Sequence, residues 1–311
     1  MMRMSAAAVA LVLVGCGMLA AEPLDETLLG ADAKWIAHVD FDALRASATV
    51  QTLAKPWLES KGVRRALAKI RDGIGLDLVE DLHGITSCGP RPKEGRGAAL
   101  IAADIDRKRL EAFLAMQPDY ATTRYEDYKV HSWTHHDQRG DATMHGCFPK
   151  TGLLVCGPNL GDLKAALDVL GGRRPNLAAG DSSLRGSAPA GTVLDLRAAG
   201  LAKAELPLKS PIIRLSELLR IALGEHNGTA FVEAKLVACS EENVRNIRDV
   251  VVGAVAFARL YYNDNEDALK ILDAIHVTVE GPVVMLSWRG QAADVALGIG
   301  RQIIKHRAGD R

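Results

Sequence analysis

Aromatic residues make up only 5% of the 311 residues, and neither charge sign is in excess, with 38 Lys+Arg facing 38 Asp+Glu. The first scarcity leaves few rings on which bases or sugars could stack. The second denies the chain the basic surplus that holds nucleic acid or anionic lipid electrostatically. Beyond the opening segment, no uncharged apolar run nears the roughly 18 residues that a membrane-crossing helix requires. No GxSxG elbow, HExxH pair, Walker A loop or GxGxxG fingerprint occurs, so the familiar signatures of hydrolase, zinc-protease and nucleotide chemistry are missing. What remains is ordinary globular material, 48% hydrophobic and 24% charged.

The opening segment carries the clearest signal. Arg3 is the only charge before Glu22, and Ala6 to Val14 is an unbroken apolar stretch followed by small residues. A positive start, a short apolar middle and a small-residue exit read as a secretory signal over residues 1–21, too short for a stable span. Two cuts compete. Leu13-Val14-Gly15-Cys16 resembles the lipobox of bacterial lipoproteins and would make Cys16 the lipidated first residue, fixing the chain to a membrane surface through its lipid alone. Cleavage near Ala20 or Ala21 would release the chain instead. Either way the expected location is outside the cytoplasm, periplasmic or anchored to the envelope.

Downstream, periodicity sketches the elements. Lys34 to Asp40 alternates as a strand, and Val50 to Ile74 repeats its apolar residues near 3.6, with Pro56 dividing or bending the helix. Strands are expected at Gly84–Cys88 and Ala98–Ala103, then a helix over Arg107–Met116. A hairpin of Tyr125–Trp133 with Thr143–Phe148 follows, then the apolar run Leu153–Cys156 and a helix over Leu160–Leu170. Residues 171–191, rich in Gly, Pro, Ser and Ala, read as a boundary or linker. The second half then echoes the first. Thr192–Arg197 matches the strand ending at Asp40, and Phe231–Ala238 followed by a helix matches Ala98–Ala103 followed by a helix. A hairpin of Ile275–Val279 and Val283–Trp288 leads into a stripe of Ala292, Val295, Ala296, Ile299 and Ile303. The expected fold is α+β, with antiparallel or mixed sheets and helices packed on one face. Two divergent ferredoxin-like repeats, residues 30–175 and 186–306, fit that pattern most simply.

Reactive side chains gather in one place. His131, His135, His136 and His145 fall within 15 residues, with Asp137 and Asp141 among them. A hairpin centred near Gln138 would set His131 opposite His145, a separation that suits two imidazoles sharing Zn²⁺ or Cu²⁺, with His135 or Asp137 as a third ligand. The competing reading is a solvated polar hairpin. Cys147 and Cys156 flank the turn at Thr151-Gly152, and a two-residue loop would pair them for a cross-strand disulfide. The alternative is that these two, with Cys88 and Cys239, are buried thiols. The carboxylate pairs Asp40/Asp42 and Asp104/Asp106 sit at strand-to-helix junctions, where helix capping explains them better than acid–base catalysis.

The runs ADAKWIAHVDFDALRAS, GLDLVEDLHGITSCG, YKVHSW and LGDLKAALDVL resemble bacterial secreted proteins known only as domains of unknown function. That resemblance, over roughly residues 30–306, implies a duplicated α+β fold and export and carries over no catalytic residue. The sequence therefore points to an exported protein that binds or supports rather than catalyses, with an envelope protein as partner and no nucleic acid. A metal-binding protein or metal-dependent enzyme built on the histidine hairpin is the alternative.

Overall fold

The computed structural model describes residues 23–91, 96–137, 140–203 and 210–295. Its first half runs β1 (Trp35–Asp40), α1 (Phe41–Ala46), α2 (Ala48–Leu58), α3 (Lys61–Ile74), β2 (Leu82–Gly89), β3 (Ala98–Ala103) and α4 (Arg107–Ala115). Then come β4 (Ala121–Tyr125), β5 (Tyr128–Asp137), β6 (Gly140–Lys150), β7 (Leu153–Gly157) and α5 (Leu160–Leu170). The second half runs β8 (Thr192–Ala199), α6 (Pro211–Arg214), β9 (Ser216–His226), β10 (Thr229–Ala238), α7 (Glu241–Tyr261), α8 (Glu266–Asp273), β11 (Ile275–Glu280) and β12 (Val283–Gln291).

Local chemistry explains the helix starts. Asp40, Asp106, Asn159 and Ser240 each accept a hydrogen bond from the backbone N–H three residues on, at the heads of α1, α4, α5 and α7. Pro56 lies inside α2 and does not end it; the break falls at Glu59 and Ser60. A proline removes one backbone donor, which a helix one turn from its end can tolerate.

All twelve strands join one antiparallel sheet, in the order β11-β12-β10-β9-β8-β1-β2-β3-β7-β6-β5-β4. The two halves meet where β1 pairs with β8, Ala37 opposite Leu196. The two expected ferredoxin-like repeats do not form sheets of their own; one sheet runs through both halves. Within the first half, β1 and β2 are antiparallel neighbours despite the three helices between them, whereas a ferredoxin-like unit interleaves its strands through a split βαβ crossover.

Helices also lie on both faces, not one. Leu100 and Ile101 are consecutive on β3, so their side chains point to opposite sides. Leu100 shares a cluster with Ile36, Val155 and the fully buried Leu163 and Leu167 of α5. Ile101 joins Val39 and Ile85 under Phe41, Leu44 and Leu76. Register carries the face of Val39 across Leu194 and Leu196, Ile221, Ala234 and Leu286 to Val277. There α7 sets Val244 and Ile247 against Leu236, Val277 and Val284. Thus α1–α3 and α7 share one face, and α5 takes the other.

Residues 171–191 link the halves and are packed. Leu177 and Leu184 are fully buried beside α5, and Asn176 bridges Gly30. Arg220 donates to the carbonyls of Arg185 and Gly186. A linker-like composition has become the cover of the α5 face because two leucines within it supply the buried area. No helix among the described residues is long and apolar enough to cross a membrane.

Candidate functional site

The histidine hairpin forms one residue out of the expected register. His131 pairs with Gly146, and His145 pairs with Ser132, whose hydroxyl lies 2.8 Å from His145 Nδ1. Because side chains alternate, His131 and His145 project from opposite faces of the sheet. His135 shares the face of His131 but lies four residues along the strand, about 13 Å away. The three histidines therefore do not converge on one ion. Among the described residues no three His, Cys, Asp or Glu side chains are placed to hold one metal ion together. The side chain of Asp137 lies outside them. His136 instead pairs with Asp141 at 2.5 Å on exposed surface, and that hydrogen bond raises its pKa.

The cysteine expectation fails for a related reason. Between Cys147 and Lys150 the β6–β7 ladder shifts register, so Cys147 faces Val155 and Cys156 faces Gly146. The two thiols point to opposite sides of the sheet. Both are free, and burial pushes each up to about 11. Pro149 sits inside the irregularity, and proline in a strand is a mark of edges and bulges. That residue was the available signal. Cys16 and the whole signal segment lie outside the described residues, as does the C-terminal stripe beyond Val295.

Three constellations that sequence reasoning missed are brought together instead. On β8, Arg197 is buried and donates to both oxygens of Asp195, to Glu26 Oε1 at 2.6 Å and to the Leu184 carbonyl. Side-chain exposures of 1% and 3% for Arg197 and Asp195 make this a desolvated ion pair, fastening residues 26 and 184 to the sheet. Two opposite charges at spacing i, i+2 in an otherwise apolar strand were its only advance sign.

The second centres on His83. Its Nδ1 lies 3.1 Å from Asp42, which also pairs with Arg45, and its Nε2 lies 3.5 Å from Asp104. Asp40 and Asp106 cap helices as expected, while their neighbours Asp42 and Asp104 bracket this ring. The arrangement fixes an imidazole between two carboxylates, one at each ring nitrogen.

The third is a cleft of about 320 Å³ between α5, the start of β3 and residues 28–33. Asp162 lies at its edge and takes a two-pronged ion pair from Arg96 at 2.8 Å, plus the backbone N–H of Gly97. The Arg96 hydrogen bond is the chief force holding the Asp162 carboxyl below the usual range, with burial opposing it. Gly97, at φ +105, lies where a Cβ would collide with the Cys88 carbonyl, so that turn admits only glycine. With Arg174 paired to Asp32 at the rim, the cleft presents satisfied charges over a floor of small residues.

The most distinctive surface is elsewhere, on α7. Only Val244 and Ile247 of its 21 residues are buried. Val250, Phe257 and Tyr261 are 51%, 69% and 71% exposed, and Ala254 between them is also exposed. These four recur at spacings of four, three and four, the seam by which one helix receives another. Leu260 and Tyr262 widen the patch. Contiguous apolar exposure of this kind marks contact surface.

The sequence matches no family model and no curated protein. Among solved structures the chain is similar to crystal forms III and I of TP0453, with TM-scores of 0.48 and 0.43 at 10% and 11% sequence identity. These alignments cover 89% of this chain in each case, and 97% and 96% of the TP0453 chains.

Proposed function

We propose that this is an exported protein of the periplasm or cell envelope that acts by binding a protein partner rather than by catalysis. The observation that carries the reading is the α7 seam of Val250, Ala254, Phe257 and Tyr261. Apolar side chains at that spacing suit an amphipathic helix laid into register, each side chain entering a gap on the partner. The N-terminal leader supports export, and a cut before Cys16 would leave that residue first in the chain as its lipid anchor. The even charge balance supports a partner recognised by shape and apolar contact instead of nucleic acid.

The two halves are proposed to descend from one duplicated unit, residues 30–175 and 186–306. Outward from the β1–β8 seam, the order β1-β2-β3 then a hairpin (β7-β6) is matched by β8-β9-β10 then a hairpin (β12-β11). Each half places helices both between its first two strands (α1–α3, α6) and after its third (α4, α7–α8). The β4–β5 ribbon is an addition to the first.

Fractionating cells that produce the full chain tests the reading. The protein is expected in the envelope fraction, to shift to the soluble exported fraction in Cys16→Ala, and to lose a co-purifying envelope protein in Phe257→Glu. Recovery from the cytoplasm with an intact N-terminus overturns export. Identical association by wild type and Phe257→Glu overturns the α7 surface.

A further inference from the structure

The histidine that sequence reasoning placed in a metal site sits in a different and more telling environment. His131 is fully buried on β5, beneath α4. Its Nδ1 lies 2.9 Å from the Tyr120 hydroxyl. Its Nε2 has no hydrogen-bond partner, and the nearest carboxylate oxygen, Glu111 Oε1 on α4, stands 3.8 Å away. Phe148 of β6 meets the ring edge-on at 5.8 Å between centroids.

The charged groups around the ring come from both sides of the contact. Glu111 is engaged by Arg107 of α4 at 2.7 Å and by Lys129 of β5 at 2.9 Å. Burial works against that carboxylate, but the hydrogen bonds from Arg107 and Lys129 outweigh it and keep Glu111 ionised. Tyr120 closes the remaining side from the loop before β4, and Arg107 also lies over the Phe148 ring. The carboxylate nearest Nε2 is thus already bound to two cations. A proton arriving on His131 places a third positive group among them, on a ring shut off from bulk solvent.

We propose that His131 is an acid-sensing latch, and that protonating its ring releases α4 from the β4–β5–β6 end of the sheet. With the latch closed, the ring is neutral and Tyr120 satisfies Nδ1. A charged ring needs an acceptor at Nε2, and Glu111 can become one only by closing a gap of nearly 1 Å and loosening Arg107 or Lys129. Opening the α4 contact relieves the conflict by admitting water to the ring.

The direction follows from linkage. Burial lowers the His131 pKa in the closed form below its ordinary 6.5, Glu111 opposing and Lys129 and Arg107 adding to the fall. The open form, with the ring in water, takes up its proton near 6.5. The closed form is therefore fully favoured above that value and loses ground as pH falls through it, until the lowered value is reached. For one proton, the opening constant rises at most tenfold per pH unit across that window.

Hydrogen exchange on the full chain, corrected for the intrinsic pH dependence of exchange, reads the opening directly between about pH 7.5 and 5.0. Protection of α4 and of β5 around His131 is expected to fall by up to tenfold per unit below 6.5 in wild type, and to stay flat in His131→Gln. Constant protection in wild type, or an unchanged slope in His131→Gln, overturns the latch. Should His131→Gln fail to fold, Tyr120→Phe retains the titrating ring and must retain the slope. In the wild-type protein, a His131 ring resonance that titrates at or above 6.5 while α4 stays protected contradicts the proposal outright.

Discussion

The two halves of the sheet repeat one strand order but are dressed differently. In the first, α5 lies over its face with Leu163 and Leu167 wholly buried, and residues 171–191 close the gap with Leu177 and Leu184. In the second, 21 residues of α7 bury only Val244 and Ile247 and leave the Val250–Tyr261 seam in water. The far face of that half carries Arg220, Glu233 and Lys235 over an open hollow. A strand pattern thus fixes where a sheet forms, while the depth at which helices seat decides which half holds the molecule together and which is free to make contacts.

The largest break in this contrast should come from the buried ion pair that ties the first half's cover to β8. Arg197→Ala leaves Asp195 and Glu26 without their cation, and a loss of about 3–5 kcal/mol in unfolding free energy is expected from denaturant titration. Replacing Arg197 and Asp195 together by apolar residues should restore part of it, since the buried stranded carboxylate is removed while Glu26 at the margin remains. A double variant no better than the single one would show that the network stabilises by more than pairing.

Next in size is the α5 contact. Leu167→Ala opens a cavity in a site with no exposure, at a cost of about 2–5 kcal/mol. The matching truncation on α7, Phe257→Ala, should change stability by no more than about 0.5 kcal/mol, because a 69% exposed ring has little burial to lose. Equal losses at the two positions would erase the distinction between the halves.

The smallest expected effect is the response to acid of the carboxylates that join segments. Asp162 is held below the usual carboxylate range chiefly by Arg96. Glu225 is also held low: burial opposes this, but the backbone N–H of Thr49 and the Ser47 hydroxyl outweigh it. Their folded values lie under the unfolded ones, so both contribute stability above about pH 4 that is lost as pH falls through the folded values. Asp162→Asn should flatten that acid limb in a thermal-melt series, and an unchanged limb would place the acid sensitivity elsewhere.

Legibility from sequence tracked how local each cause was. Strand β3 and helix α5 were visible to the residue, because an apolar run and the cap Asn159 are contiguous signals. Strand β4, ATTRY, passed unnoticed since its residues are nearly all exposed and no alternation survives. The histidine and cysteine pairings failed together. Both depended on register, and a one-residue shift turns partners to opposite faces. The α7 seam had its four-three-four spacing in plain view, but spacing alone does not say whether a partner within the chain covers it. Helices on both faces were hidden too, since packing side is set by contacts far apart in the chain.

The contrast between the halves can be put to one direct measurement in intact cells. A photoreactive benzoylphenylalanine is placed at Phe257 in one variant and at Met116 in another, two apolar positions of similar exposure, 69% and 74%. The account predicts a discrete protein adduct from position 257, lost when Tyr261→Glu is added, and none from position 116. Adducts of equal yield from both positions, or none from 257, would contradict it.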